Sequence, residues 1–176
     1  MKTEHEIETE RNDQLIRCIP DVLNYKTVLY IGINRFRSMF IKDFADAKYM
    51  IDVIEIFKSN TEYWKKKDIC NYIICADIRT VKIEKNYDLI VWYHGPEHVA
   101  RDEAIKTFEK LEDHANKMLI LGCPHGAYPQ GPEYGNENER HLSEWSGPDL
   151  MHYGFSVDII GNHNEKGSNL LAWKRK

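Results

Sequence analysis

The stretch TVLYIGINRFRSMF, residues 27–40, decides the fold. Val28 to Ile33 is a run of β-branched, aromatic and aliphatic side chains, too short for a helix and apolar enough for a strand buried on both faces. Gly32 lies within its end, and Phe36, Met39, Phe40 and Phe44 follow at helical spacing. Strand, glycine turn and helix in immediate succession are the unit from which a parallel sheet covered by helices is built. A glycine at such a strand end also marks the floor of a ligand site, because ligands of these sheets bind outside the carboxyl ends of the strands.

The same alternation continues downstream. Tyr49 to Ile56 reads as a second strand ending in Glu55, followed by a helix from about Thr61 to Lys67. Asn71 to Ala76 is a third, ending in Asp77, and Tyr87 to Tyr93 a fourth, which runs into HGPEH. Ala100, Ala104, Phe108, Leu111 and Ala115 make one apolar stripe at spacings of three and four, so the pattern predicts a helix over about 97–115 with Pro96 in its first turn. Lys117 to Cys123 is a fifth strand. Phe155 to Ile160 and Leu170 to Trp173 are two more, joined by the hairpin-like GNHNEKGSN. Upstream, Leu15, Ile16, Ile19, Val22 and Leu23 form an apolar face interrupted by Pro20, which suggests a capping helix within residues 1–24. The expected fold is a doubly wound, mostly parallel, seven-stranded Rossmann-like α/β sheet with helices on both faces and a C-terminal antiparallel hairpin. The length suits a single domain over residues 1–176.

Residues 124–146, beginning PHGAYPQGPEYGNENERHLSEW, are too long and too rich in turn formers for an idle connection. The tyrosines and Trp145 favour an ordered lid, with a short helix covering part of 137–152. The formal charge of −4 argues against a nucleic acid or an anionic membrane as partner, since both ask for a basic face. Cys18, Cys70, Cys75 and Cys123 are scattered in or beside apolar runs and read as buried thiols, which fits a reducing cytoplasm. The polar, acidic N-terminus is unlike a signal or transit peptide, and no apolar run reaches the ~20 residues that span a bilayer.

The polar groups that follow the strands can now be collected: Gly32 and Asn34, Glu55, Asp77, His94 with Glu97 and His98, and His125. The order VLYIG (28–32), an acid ending the second strand, an acid ending the third, YDLIVWYHGPEH (87–98) and a closing strand pair resembles a class I S-adenosylmethionine-dependent methyltransferase over residues 25–174. The resemblance implies that Gly32 lets the backbone approach the methionine part of S-adenosylmethionine, that Glu55 binds the ribose hydroxyls, and that Asp77 with Ile78 lies at the adenine; Asn34, Ile56 and Trp92 are further cofactor-binding candidates. It implies too that residues from Trp92 to His98 face the transferred methyl group. The family usually carries two or three glycines in the first turn, and this chain has one. That departure disfavours a dinucleotide more than S-adenosylmethionine, because a pyrophosphate needs close backbone approach at several points. Carboxylates at strand ends also complement a cationic sulfonium and ribose hydroxyls, whereas NAD or ATP calls for a phosphate nest.

His94 is the expected general base for a hydroxyl or amine acceptor, with Glu97 or His98 as its orienting partner; the plainer alternative is that His94 and Glu97 cap the following helix. His94-Gly95-Pro96-Glu97-His98 also matches H-x-x-E-H, a zinc pattern on a continuous helix. Gly95 and Pro96 break that helix, so no metal is expected. His125, Tyr128, Tyr134 and His141, with Gln130, are candidates to line a small-molecule or glycan acceptor. Two other functions stand beside methyl transfer: a catalytically silent binding module of the same fold, and a metal-dependent hydrolase built on HGPEH. The expected state is a monomer or a homodimer.

Overall fold

The computed structural model describes residues 12–34, 41–133, 135–160 and 168–176. Thr27–Ile31 forms strand β1, whose side chains alternate between two apolar cores. Val28 and Tyr30 point into one, with Phe44, Val53 and Leu89; Leu29 and Ile31 point into the other, with Ile54, Ile90, Phe108 and Leu119. A strand buried on both faces has no polar side to show, which is why its sequence reads as an unbroken apolar run.

Around β1 lie β2 (Met50–Glu55), β3 (Tyr72–Cys75), β4 (Tyr87–Tyr93), β5 (Ala115–Pro124), β6 (Ser156–Ile160) and β7 (Asn169–Arg175). The sheet order is β3-β2-β1-β4-β5-β7-β6. The first five strands are mutually parallel, and β7 runs antiparallel to both β5 and β6. Helix α1 over 12–18, α2 (Ile41–Asp46) and α3 (Lys58–Lys65) cover the first core through Leu15, Phe44 and Trp64. Helices α4 (Arg101–His114) and α5 (Gly147–His152) cover the second through Phe108, Leu111 and Leu150. The doubly wound sheet with its closing hairpin is the fold expected from the sequence. The chain steps outward from β1 to β3 and then returns to place β4 on the other side of β1, so the strand order reverses between β1 and β4. A cleft opens at that point, outside the strand ends. Among the described residues no helix is long and apolar enough to cross a membrane.

Three helix boundaries differ from the sequence pattern, each for a local reason. The helix expected over 97–115 is α4 alone, preceded by a separate 3-10 turn at Pro96–His98. The Glu97 carbonyl accepts hydrogen bonds from the Leu142 and Ser143 amides, so the loop after β5 has taken the acceptor that a continuous helix would use. Val99 and Ala100 are extended, and α4 starts after them, with Asp102 and Glu103 in its first turn, where acids favour a helix N-terminus. The helix expected over 61–67 is α3, three residues earlier, because the Asn60 and Thr61 amides donate to Phe57 O and close the first turn there. Residues 137–152 hold a 3-10 turn at Glu137–Glu139 and then α5, which a reciprocal Ser146–Asp149 capping box starts. Phe36, Met39 and Phe40 lie outside the described residues, as does most of the turn between β6 and β7.

Candidate active site

The floor of the cleft is the turn after β1. Gly32 has φ +78, a conformation that costs other residues roughly 1–2 kcal/mol, and its amide donates to Ile54 O at 2.9 Å. A Cβ placed on Gly32 would meet nothing within 4 Å; it would stand in the cleft itself. Asn34, next along the rim, also lines the space.

Glu55 ends β2 beside it and is 4% exposed, yet its carboxylate faces the cleft. Its Oε1 accepts the Phe57 amide at 2.6 Å. Burial drives the carboxyl up to about 7; the Phe57 amide and Asn60 oppose that rise and the charge of Glu139 adds to it. Asp77, after β3, also reaches the cleft, but its carboxylate is committed to Arg79. The Arg79 amide donates to Oδ1 at 2.9 Å, Nε sits between both oxygens, and Nη2 reaches Oδ2 at 2.7 Å. Those bonds hold Asp77 below the usual carboxylate range despite partial burial. Arg79 is shared with Glu103 on α4, and Lys110 of the same helix donates to the Ile78 and Val81 carbonyls, so α4 fixes the turn that carries Ile78. Ile56 is exposed at the rim.

After β4 the backbone folds sharply: His94 has φ +52, and its amide continues the sheet by donating to Gly122 O at 2.8 Å. Gly95 is required by close approach, since a Cβ there would lie 1.8 Å from Trp92 Nε1. Gly122 on β5 likewise leaves room for the Tyr93 ring, 2.1 Å from where its Cβ would be. This turn brings both histidines of HGPEH onto one carboxylate. His94 Nδ1 is 3.0 Å from Glu97 Oε1, and His98 Nε2 is 3.8 Å from the same oxygen. Across the break at Gly95-Pro96 the histidines need not share a face, yet the turn it allows coils tightly enough to join them. Glu97 is 2% exposed and its Oε2 has no hydrogen-bond partner among the described residues. Burial alone would raise its carboxyl, but the His94 hydrogen bond and the nearby His94 and His98 rings more than offset that, and it lies below its ordinary value.

The loop after β5 supplies the remaining walls. His141 packs on His98 with ring centroids 4.9 Å apart, and Glu97, His98 and His141 bring their ligand atoms within 4.8 Å of one another. His141 Nδ1 contacts Tyr128 O at 2.5 Å and His98 Nδ1 contacts Arg140 O at 3.3 Å. With Nδ1 donating to a carbonyl, each ring keeps its Nε2 lone pair for another partner. Burial also holds His141 below its ordinary value, which favours the neutral ring. These three residues could hold a metal ion, and no signal in the HGPEH stretch alone points to His141.

Gly32, Asn34, Glu55, Ile56, Asp77, Ile78, Trp92, His94 and His98 therefore line one cleft. Glu97 lies beneath it, and Tyr128 and His141 adjoin it through His98. His125 is exposed and outside the lining, Gln130 donates to Glu139 O at 2.8 Å, and Tyr134 lies outside the described residues. Sequence reasoning missed Asn60, Arg79, Asn136, Asn138 and Glu139, all of which line the cleft.

No family model matches the sequence, and no curated protein matches it. The fold, by contrast, has many counterparts among solved structures. It superposes on the N-methyltransferase NodS from Bradyrhizobium japonicum WM9 with a TM-score of 0.70, at 16% identity, over 98% of both chains. A SAM-dependent methyltransferase from Leishmania major gives 0.72 at 15% identity, over 97% of this chain and 72% of that one. Magnesium protoporphyrin IX methyltransferase from Synechocystis PCC 6803, crystallised with bound SAM, gives 0.63 at 16% identity, over 96% of this chain and 80% of that one. The fold is that of the class I S-adenosylmethionine-dependent methyltransferases. In this methyltransferase fold the cleft at the β1–β4 reversal, with Glu55 and Asp77 along it, is the feature the sequence pattern had pointed to.

Proposed function

We propose that the chain is an S-adenosylmethionine-dependent methyltransferase, one catalytic domain that acts in the cytoplasm on a small-molecule or glycan-type acceptor. The observation that carries this is the joint placement of Gly32 and the Glu55 carboxylate in one cleft at the strand-order reversal. That cleft fits the cofactor: Gly32 leaves its floor open, an acid faces it where ribose hydroxyls need an acceptor, and the Asp77–Arg79 turn closes the far end. When bound, the cofactor supplies an electrophilic methyl group on a sulfonium.

The residues after β4 would do the rest. Trp92 and Gly95 form a tightly packed wall beside the reacting centre, so the transfer is held aligned and away from water. His94, oriented by Glu97, accepts the proton that a hydroxyl or amine acceptor loses. Half-buried His141 and exposed Tyr128 and Leu142 offer the acceptor an amphipathic rim. The net charge of −4 supports an uncharged or cationic acceptor over a nucleic acid.

One observation favours a second reading of how the acceptor is activated: buried Glu97, whose Oε2 has no partner among the described residues, has a ligand atom within 4.8 Å of ligand atoms of His98 and His141. A carboxylate and two imidazoles suit a divalent transition-metal ion, and an acceptor hydroxyl coordinated there would ionise more easily. Elemental analysis after loading with manganese, zinc or iron tests it. The metal reading expects one equivalent, lost in His141→Ala; protein that takes up none leaves His94 and Glu97 to act alone.

The acceptor class is tested by incubating the protein and tritiated S-adenosylmethionine with fractionated cell extract. Label in the small-molecule and glycan fraction is the expected result. Label confined to nucleic acid would overturn the acceptor class, and no label in any fraction would favour a silent binding module.

A further inference from the structure

The loop after β5 reaches back over the first turn of the sheet and puts a carboxylate there. Asn34 and Glu139 are 105 residues apart in sequence, yet Asn34 Nδ2 is 3.4 Å from Glu139 Oε1. The placement is built rather than incidental. Asn136, 4% exposed, donates from Nδ2 to the same Oε1 at 3.1 Å, while its own oxygen accepts from the Asn138 amide at 3.1 Å. Gln130 fixes the backbone of Glu139 from the other side. Oε1 thus holds the loop in place, and no described residue donates to Oε2.

Among the described residues the charges around it are unbalanced. Glu139 and Glu55 both face the cleft, and the field of Glu139 helps push Glu55 up. Among the described lining residues, the guanidinium of Arg79 is taken by Asp77 and Glu103, and His94 and His98 are gathered on Glu97. No described cationic side chain balances the carboxylates at the Gly32–Asn34 end. Gly32 is also where the resemblance puts the methionine part of the cofactor, which carries an α-ammonium group.

From this we infer that Glu139 is a cofactor-binding residue, which accepts a hydrogen bond from the α-ammonium of S-adenosylmethionine and so ties the acceptor loop to the occupied cleft. The inference rests on the cofactor reading above. It adds a ligand from a loop remote from the first strand and its glycine turn. A charge-assisted bond of this kind is stronger than a neutral one, and its loss is readable in affinity.

The test is calorimetric titration of wild type and Glu139→Gln with two ligands. S-adenosylmethionine has the amino-acid end; 5′-methylthioadenosine has the same nucleoside and a thioether but lacks that end. Glutamine keeps an acceptor oxygen for Asn34 and Asn136, so the loop retains its anchor. The expected result is S-adenosylmethionine bound about tenfold more weakly by Glu139→Gln, with methylthioadenosine affinity within about twofold of wild type. Unchanged S-adenosylmethionine affinity would overturn the inference. So would an equal loss for both ligands, which would mean that Glu139 only shapes the loop. If wild type binds neither ligand, the cofactor reading itself fails, an outcome distinct from both.

Discussion

Glu97 Oε1 lies 3.0 Å from His94 Nδ1, while its other oxygen, Oε2, is buried without a partner among the described residues. Such an atom costs stability unless the site uses it. Glu97→Gln keeps an oxygen for His94 and removes the charge. Methyl transfer is expected to fall by about 10²–10⁴-fold, the usual weight of acid–base assistance, with S-adenosylmethionine affinity nearly unchanged. Single-turnover rates alongside equilibrium binding check this; a parallel loss of both would make Glu97 a binding residue.

The raised carboxyl of Glu55 gives stability a pH dependence of definite sign. It rises from its ordinary 4.5 to about 7 in the folded chain, so between those values the folded state holds a proton that the unfolded chain has released. Glu55 therefore supports the fold below about pH 4.5, and that contribution is lost as pH climbs through 7, by about 3 kcal/mol in all. Urea denaturation across pH 5–8 should show wild type losing stability relative to Glu55→Gln. A difference that stays flat with pH would contradict the burial argument.

Two glycines of the site should respond differently to alanine. At Gly95 the new methyl would lie inside the Trp92 indole, 1.8 Å from Nε1, so wall and turn must move. An overpacking cost of about 1–3 kcal/mol or more, with loss of activity, is expected. At Gly32 nothing is struck, and the φ of +78 sets a cost of roughly 1–2 kcal/mol. Its larger effect should be weaker S-adenosylmethionine binding. Denaturation midpoints and titrations of the two variants separate strain from occlusion.

Much of this is legible in the sequence. VLYIG, Glu55 and Asp77 could be read because their places depend on the strand that carries them, and apolar runs with polar ends mark strands whatever the rest of the chain does. The boundary of α4 could not, since it turns on the Glu97 carbonyl being taken by amides 45 and 46 residues away, at Leu142 and Ser143. That both histidines of HGPEH meet on Glu97 is not legible, because residue spacing does not reveal a left-handed His94. Nothing in the sequence singles out Arg79; only the folded turn shows it closing on Asp77. Glu139 gave no signal at all, because its role depends on a loop path that turn-forming residues permit but do not specify.

Phe108 is the clearest structural support of the site. Its ring meets Trp92, Trp145, Tyr153 and Phe155 at centroid distances of 5.3–6.4 Å, joining α4, β4, the loop after β5 and the approach to β6. Phe108→Ala should cost about 3–5 kcal/mol, read from chemical denaturation. A cost below about 1 kcal/mol would mean that these elements do not depend on a shared core.

Binding of S-adenosylmethionine in the cleft between β1 and β4 is read by calorimetric titration of the folded wild-type chain. Saturable binding of one cofactor per chain is expected, weakened at least about tenfold by Glu55→Ala, since a buried carboxylate that accepts hydroxyl hydrogen bonds would be lost. No heat and no saturation from folded protein, or the same affinity in Glu55→Ala, would contradict it.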